Sequence, residues 1–429
     1  MAGIGRTVIS RQRYSRIWGL GDRKSPSSYT PGIVITGNEE YDIKFAPFTI
    51  SSDGGIPRNI EINSRAPFAP WISNENGPNM SASLGHVLPP SFEEADAGQS
   101  ASKGDILPIS WQAMNHDEEL SNPQLDPVIV ILTDALQLAN RPGKLVDAIV
   151  KIKHTFPSSL LWTPGIGGPD NCAVLTWFGV DLFDTTRSLQ AESAGAVLTW
   201  NGPRMTQDND LEVDHWTYAL NEVRSAISSK KLRELAVAQS LSSPRLVEHM
   251  RYHDKVVGRQ DGILEMVVGE STNLQINSIE SHDDPIICDW VEFITNRYIK
   301  PSSLDEVLIL LPCSARKPYS RSKSHKNFKN AIAHNAAHEV MITSPLGLVP
   351  RDLEAVWPAG RYDIPVTGDW NLQEVERVKS MINALISRNK YRVIINHSSI
   401  EIDTEIPVIN TRLGDRATSD QALGRLKSA

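Results

Sequence analysis

Five apolar residues in an unbroken row, Val307-Leu-Ile-Leu-Leu311, run directly into a long polar loop. A continuous apolar run this short reads as a strand buried on both faces. Such a strand has to be covered by helices, which commits its half of the chain to an α/β layer arrangement. The loop, Pro312 to His325, holds one thiol, one phenol, one imidazole, two prolines, four serines and four cations. Beyond it, Phe328 and Ile332 recur at helical spacing. Strand, polar loop and helix start, in that order, put the loop past the carboxyl end of the strand, where α/β sheets bind ligands.

The same alternation repeats on either side. Ile286 to Tyr298 reads as a helix, and Val340-Met-Ile-Thr343 as a second strand feeding the loop Ser344-Pro-Leu-Gly-Leu-Val-Pro350. Tyr362-Asp-Ile-Pro-Val-Thr-Gly-Asp-Trp370 is a further polar and aromatic loop. Asn371 followed three residues later by Glu374 has the form of a capping box, and Leu372, Val375, Val378, Ile382 and Leu385 continue as a helical stripe. Val393-Ile-Ile-Asn396 is a third strand, ending at Asn396 and His397. Three strand ends are thus expected on one rim.

Upstream, residues 1 to about 120 are rich in Gly, Pro, Ser and Asn, with short β-type runs at Gly32–Thr36 and Tyr41–Phe45 and an acidic, exposed loop expected at 91–103. From Asp126 the texture becomes strand–helix–strand. Val128–Leu132, Ser159–Trp162 and Gly179–Phe183 read as strands, with helical spacing at Leu145–Lys153 and Asn171–Phe178. Helices over Val213–Ser228 and Leu232–Tyr252 follow, broken at Ser242-Ser243-Pro244. Two domains are expected, 1–280 and 281–429, the length being enough for two or three at roughly 150 residues each.

Three widely spaced cysteines, Cys172, Cys288 and Cys313, do not make a disulfide framework. No apolar run approaches the roughly 20 residues of a membrane span, and the first residues lack the pattern of a secretory signal. A cytoplasmic location, off the membrane, is therefore expected. The net charge of −8 argues against general coating of nucleic acid. A local basic stretch remains: Arg316, Lys317, Arg321, Lys323, Lys326 and Lys329, with no acid among them. It suits either a solvated helix flank or a phosphate-facing surface.

Residues 159–187, with Pro164-Gly-Ile-Gly-Gly-Pro169 preceding Gly179-Val-Asp-Leu-Phe-Asp184, resemble the late βα units of tRNA-guanine transglycosylases. That resemblance implies a degenerate TIM-type (β/α) barrel, with Asp184 at the position of the family's ribose-attacking carboxylate. An aspartate at a strand end also serves as a simple cap. The interval 190–215, where the family carries its zinc cysteines, contains no cysteine, and no Asp-Ser-Gly-Gly-Phe-Gln segment is present. Without those ligands no metal is expected. The reading is a barrel that keeps the shape of a base-exchange enzyme, with Asp184 holding a base.

The loop itself, Pro-Cys, three residues, Lys-Pro-Tyr, two residues, Ser, two residues, His, is similar to the signature of archaeosine synthases. It falls on Pro312, Cys313, Lys317, Pro318, Tyr319, Ser322 and His325. The resemblance implies addition of free lysine to the nitrile of 7-cyano-7-deazaguanine in the tRNA D-loop, giving an amidine. It implies no cofactor of the chain's own and a radical S-adenosylmethionine partner that cleaves the adduct. Relatives often carry a C-terminal RNA-binding PUA domain, for which the residues after 403 are too few, so a separate PUA-bearing chain is expected for RNA docking, along with a homo-oligomer.

An amine attacking a nitrile develops negative charge on nitrogen, so the site must donate a proton. Lys317, Tyr319 or His325 is the expected donor. Cys313 is placed to attack first as a thiolate, its pKa lowered by nearby cations, or else to serve as a small buried hydrophobe. Pro312, Ser314, Pro318, Ser322, Ser344, Asn396 and Asp184 are the expected substrate-binding residues, with an anion on the Ser322–His325 helix start. Asp363, Asp369 and Glu354 are candidates for the lysine ammonium. Two other roles stay open: a working transglycosylase, and a noncatalytic tRNA-binding subunit.

Overall fold

A computed structural model describes residues 5–52, 59–65, 79–83, 106–122, 125–206, 214–257, 273–332, 334, 336–364 and 370–429. The chain divides into two units, 1–268 and 269–429. Both are α/β. The acidic stretch expected as a loop at 91–103 lies outside the described residues.

The first unit begins with an antiparallel meander, β1 (Arg6–Gln12), β2 (Ser15–Gly21) and β3 (Pro26–Tyr29). Its main element is an eight-stranded sheet: β4 (Gly32–Thr36), β5 (Phe48–Ser52), β6 (Asn59–Ser64), β7 (Asn79–Ser83), β8 (Ile106–Ile109), β9 (Ile129–Leu132), β10 (Leu160–Trp162) and β11 (Leu182–Asp184). Neighbours follow chain order except where β4 pairs in parallel with β11, so the first and last strands of the sheet lie side by side. β7 and β8 approach each other at the two ends of the ladder. The sheet is therefore curled on itself.

Side chains on successive strand residues point to opposite faces, and the apolar runs satisfy both faces at once. Val34, Phe48, Ile60, Ile62, Ile106, Ile129, Ile131, Leu160, Trp162 and Leu182 share one interior cluster, which Trp18 and Leu20 of β2 join. Val130, Leu132, Leu161 and Phe183 face the other way and pack with the helices. Those helices are α1 (Trp111–His116), α2 (Ala135–Leu138), α3 (Lys144–Thr155), α4 (Cys172–Phe178), α5 (Thr186–Ser193), α6 (His215–Ser229), α7 (Leu232–Ser240) and α8 (Pro244–Val257). The break expected at Ser242–Pro244 separates α7 from α8. A hairpin of β12 (Ala196–Thr199) and β13 (Gly202–Met205) lies within the cysteine-free interval 190–215. No helix among the described residues is long and apolar enough to cross a membrane.

Tyr41–Phe45, expected as a strand, is a turn. The Asp42 carboxylate accepts the Lys44 N–H at 2.9 Å, and the Asp42 carbonyl accepts those of Phe45 and Ala46. A short acidic side chain competes here for the donors that a strand would need.

The second unit is built on a five-stranded sheet: β15 (Val307–Pro312), β16 (His338–Thr343), β17 (Gly347–Pro350), β19 (Val393–Asn396) and β20 (Val408–Asn410), ordered β17-β16-β15-β19-β20. A separate parallel pair joins β14 (Leu274–Gln275) to β18 (Tyr362–Asp363). The helices are α9 (Pro285–Asn296), α10 (Lys323–Ala331), α11 (Leu372–Arg388) and α12 (Asp420–Ser428). β15 lies parallel to both β16 and β19, so their carboxyl ends share an edge, as expected. The capping box at the start of α11 is present in both directions.

One loop assignment changes. Gly347 to Pro350, expected within a loop, is a strand running back antiparallel along β16. Gly347 makes the reversal at φ +71°, and a Cβ there would lie 2.1 Å from the Met381 sulfur. A side chain is excluded by backbone conformation and by space together. Gly347→Ala should destabilise the protein by roughly 1–3 kcal/mol, read as a lowered urea midpoint with an unchanged slope.

Candidate active site

β15 and β16 run in register, Pro312 opposite Ile342, and both leave the sheet at the same level. The Cys313 N–H donates to the Ile342 carbonyl at 3.1 Å, so Cys313 and Thr343 emerge side by side. The Cys313 thiol is half-buried at this strand end, beside Thr343. Burial pushes the thiol up in pKa, while Thr343 and then Lys317 pull it down. The expected lowering is thus reversed, because desolvation outweighs the cations on this loop.

Thr343 belongs to a chain of hydroxyls. Its Oγ1 donates to the Ser344 carbonyl at 3.2 Å, so the Tyr362 hydroxyl, 2.6 Å away, donates to it. The Tyr319 hydroxyl then donates to that of Tyr362. Both phenols are buried, and burial raises the pKa of each. The Lys317 ammonium lies over the ring of Tyr362, 4.0 Å from its centroid, a cation–π contact. Burial pulls Lys317 down, and Cys313 and Asp363 pull it back up. Thiol, ammonium and hydroxyl chain meet at one strand end.

His325 faces elsewhere. Its Nδ1 accepts from the Arg351 guanidinium at 3.0 Å, since an arginine can only donate. The neutral ring therefore carries its proton on Nε2. Burial first, and Arg351 second, push its imidazolium down to about 3. Arg351 also donates to Glu339 at 2.7 and 2.9 Å and to Glu354 at 2.8 Å. Glu354 in turn accepts the Ser320 N–H at 3.0 Å. The rings of Tyr319, His325, Phe328 and His397 follow one another at centroid separations of 5.2, 5.1 and 5.2 Å. Tyr319 and His325 thus form the floor of the loop.

Several other candidates have their polar atoms engaged. Ser322 caps α10, its Oγ accepting the His325 N–H at 3.2 Å. Ser344 donates to Glu374. The Asn396 amide donates at 2.9 Å to Ile400 and to Asn410, and its oxygen accepts from Ser398. His397 lies between Thr411 and the Ala417 carbonyl at 2.7 and 2.8 Å. Ser314 donates to the Arg316 carbonyl at 3.2 Å, while Pro312 ends β15 and Pro318 starts the turn at Tyr319–Arg321. Asp363 is exposed on β18, and Asp369 lies outside the described residues. Arg316, Arg321, Lys323, Lys326 and Lys329 are exposed and make no ion pair with another described residue.

In the first unit, Asp184 ends β11 with three N–H donors: Gly165 at 2.8 Å, Trp162 Nε1 at 3.2 Å and Thr186 at 3.0 Å. The carboxylate ties the glycine-rich loop to the strand end. Beside it, Arg187 grips Asp170 with two bonds of 2.7 and 2.8 Å.

Sequence reasoning missed Thr343, Tyr362 and Arg351. Thr343 carried a signal, being a polar residue closing a buried strand next to the strand that ends at Cys313. Tyr362 stood in a loop already singled out, without a partner to give it a role.

The site has the form of a thiol centre at the carboxyl edge of the parallel strands of a mixed α/β sheet. A family model described as a domain of unknown function (DUF5591) matches residues 287–429, which span it. The chain is 31% identical over 287 residues to archaeosine synthase subunit alpha of Thermoplasma acidophilum, covering 64% of this chain and 54% of that protein. It is 30% identical over 291 residues to archaeosine synthase of Haloferax volcanii, covering 62% and 49%. With archaeosine synthase of Methanocaldococcus jannaschii the identity is 29% over 324 residues, covering 70% and 52%. The chain spans about half the length of these relatives. A solved structure described as a protein of unknown function is 29% identical over 32% of this chain and 48% of its own, with a TM-score of 0.26, too low to inform the fold. The chain is thus similar to archaeosine synthases over 62–70% of its own length.

Two buried histidines set an acid limit on the second unit. His338 accepts from the Tyr391 hydroxyl at 2.6 Å and donates to that of Tyr298 at 3.0 Å, which itself donates to Asp352. Burial pushes His338 down to about 4, with His325 at about 3. An unfolded imidazole takes up its proton near pH 6.5, so between about pH 6.5 and 4 the unfolded chain binds more protons than the folded one. Their neutral packing contributes fully above that window, and stability falls as the pH drops through it. At pH 5 each histidine should lower stability by about 2 kcal/mol. Urea denaturation at pH 7 and pH 5 should show a loss smaller by about that amount in His338→Gln.

Proposed function

We propose that the chain acts in archaeosine biosynthesis as a tRNA-modifying transferase. It joins free lysine to the nitrile of 7-cyano-7-deazaguanine in the tRNA D-loop, forming an amidine. The observation that carries this reading is the convergence of Cys313 and Lys317 beside the hydroxyl chain, within a seven-position signature. That loop lies in the region matched by the family model of unknown function, and relatives named archaeosine synthase match 62–64% of the chain.

The geometry favours one assignment of roles. The Cys313 thiol adds across the nitrile, forming a carbon–sulfur bond while the nitrile nitrogen gains a proton. The lysine amine then displaces the thiol from the thioimidate, leaving the amidine and restoring Cys313. Lys317 is the better proton donor: it sits beside the thiol, and burial has already loosened its proton. Tyr319 and His325 are turned to internal partners and support the loop. The exposed cations from Arg316 to Lys329 suit phosphate contacts around the reacting base.

The curled sheet of the first unit is, in this reading, a degenerate barrel of the transglycosylase type. Its strands succeed one another around a shared interior. Asp184, held by three N–H groups, stands there as a base-holding residue rather than a nucleophile. A radical S-adenosylmethionine partner would process the adduct, and a PUA-bearing chain would help dock the RNA. Self-association and a cytoplasmic site of action belong to the same proposal.

Mass spectrometry of nucleosides from tRNA carrying the nitrile base, after incubation with the chain and lysine, tests the reading. A lysine-sized gain on that base is the expected result. Retained tRNA binding without the gain would make the chain a binding subunit, and exchange of labelled guanine would make it a transglycosylase. Cys313→Ala should abolish the adduct while tRNA binding persists, and Lys317→Met should slow its formation by about 100-fold.

A further inference from the structure

Tyr362 touches both Lys317 and Thr343, the residue beside Cys313. Its ring face carries the Lys317 ammonium at 4.0 Å, and its hydroxyl donates at 2.6 Å to Thr343, the neighbour of Cys313. Tyr362 is itself fixed twice. β18 pairs with β14 at Tyr362 and Leu274, and the Tyr319 hydroxyl donates to its oxygen. Only 3% of its surface is exposed, so neither contact is an incidental surface encounter.

We propose that Tyr362 is a positioning residue that couples the two reactive side chains, its ring holding Lys317 and its hydroxyl polarising that of Thr343, the residue beside Cys313. The proposal rests on the amidine-forming reading only for its purpose; the coupling itself is a property of the free protein. In the resting state Thr343 gives its proton to the Ser344 carbonyl. When the Cys313 thiol ionises, the Thr343 hydroxyl turns to donate to the sulfur. A hydroxyl that is itself receiving a hydrogen bond is the stronger donor, so Tyr319 and Tyr362 behind it reinforce the contact. Lys317, held on the ring, adds a cation whose charge favours the thiolate. The thiolate is stabilised only while both arms are in place, and both pass through one residue.

The test reads the thiol without any tRNA. Iodoacetamide alkylation of Cys313 is followed at the peptide level by mass spectrometry in the full chain across about pH 6 to 10, which separates it from Cys172 and Cys288. Alkylation requires the thiolate, so any loss of its stabilisation moves the profile to higher pH. Thr343→Val removes the direct donor and should slow alkylation at neutral pH by about 10-fold, in line with a hydrogen bond to a charged group. Thr343→Ser should restore it. Tyr362→Phe keeps the ring under Lys317 and loses only the hydroxyl, and should slow alkylation by about 3-fold. An unchanged profile in Tyr362→Phe, with Thr343→Val shifted, would overturn the role of Tyr362. Unchanged profiles in both would overturn the whole chain. Should the unsubstituted protein give no lysine adduct on tRNA, the functional reading fails, whereas the alkylation profiles still decide the coupling.

Discussion

The parallel register between β15 and β16 is the constraint on which the second unit depends. Because Pro312 lies opposite Ile342, the two strands end together, and the residues that follow them are neighbours without any help from loop packing. A shift of one residue would turn each strand's side chains to the opposite face. The buried Val307–Leu311 run, covered on both sides, resists that shift because it has apolar residues to lose from either face. Precision at the thiol is thus inherited from the sheet core.

Much of this architecture was legible in the sequence. The three site-bearing strands, the helices that cover them and the Asn371–Glu374 capping box follow from local chemistry: buried runs, helical stripes and a short side chain reaching its own backbone. What was not legible depended on contacts distant in sequence. Tyr319 and His325 read as reactive because they stood beside a cysteine; in the fold both are buried, and Arg351 donates to the His325 ring. Arg351 itself lies 26 residues after His325 and gives no local sign of its role. The pKa of Cys313 was misjudged for a related reason. Counting nearby cations in sequence weighs charge and ignores desolvation, which here is the larger effect.

Asp184 shows a different limit. Its place at a strand end was correctly expected, but whether a carboxylate is available depends on how many donors surround it. Three N–H groups converge on it, one from each of the segments it joins and one from the indole of Trp162. A sequence motif can conserve a position's geometry while its neighbours determine its chemistry.

The Arg351 clamp has a consequence for recognition. One guanidinium reaches His325 on α10 and Glu339 on β16, and through Glu354 it fixes the backbone at Ser320. The second half of the loop is therefore held from beneath, at Ser320 and at His325, before anything binds. A ligand that meets an already ordered surface has little chain entropy to remove, so more of its contact energy remains as affinity. The corresponding cost is tolerance: a rigid loop of this kind selects by shape and rejects what does not fit, instead of folding around it.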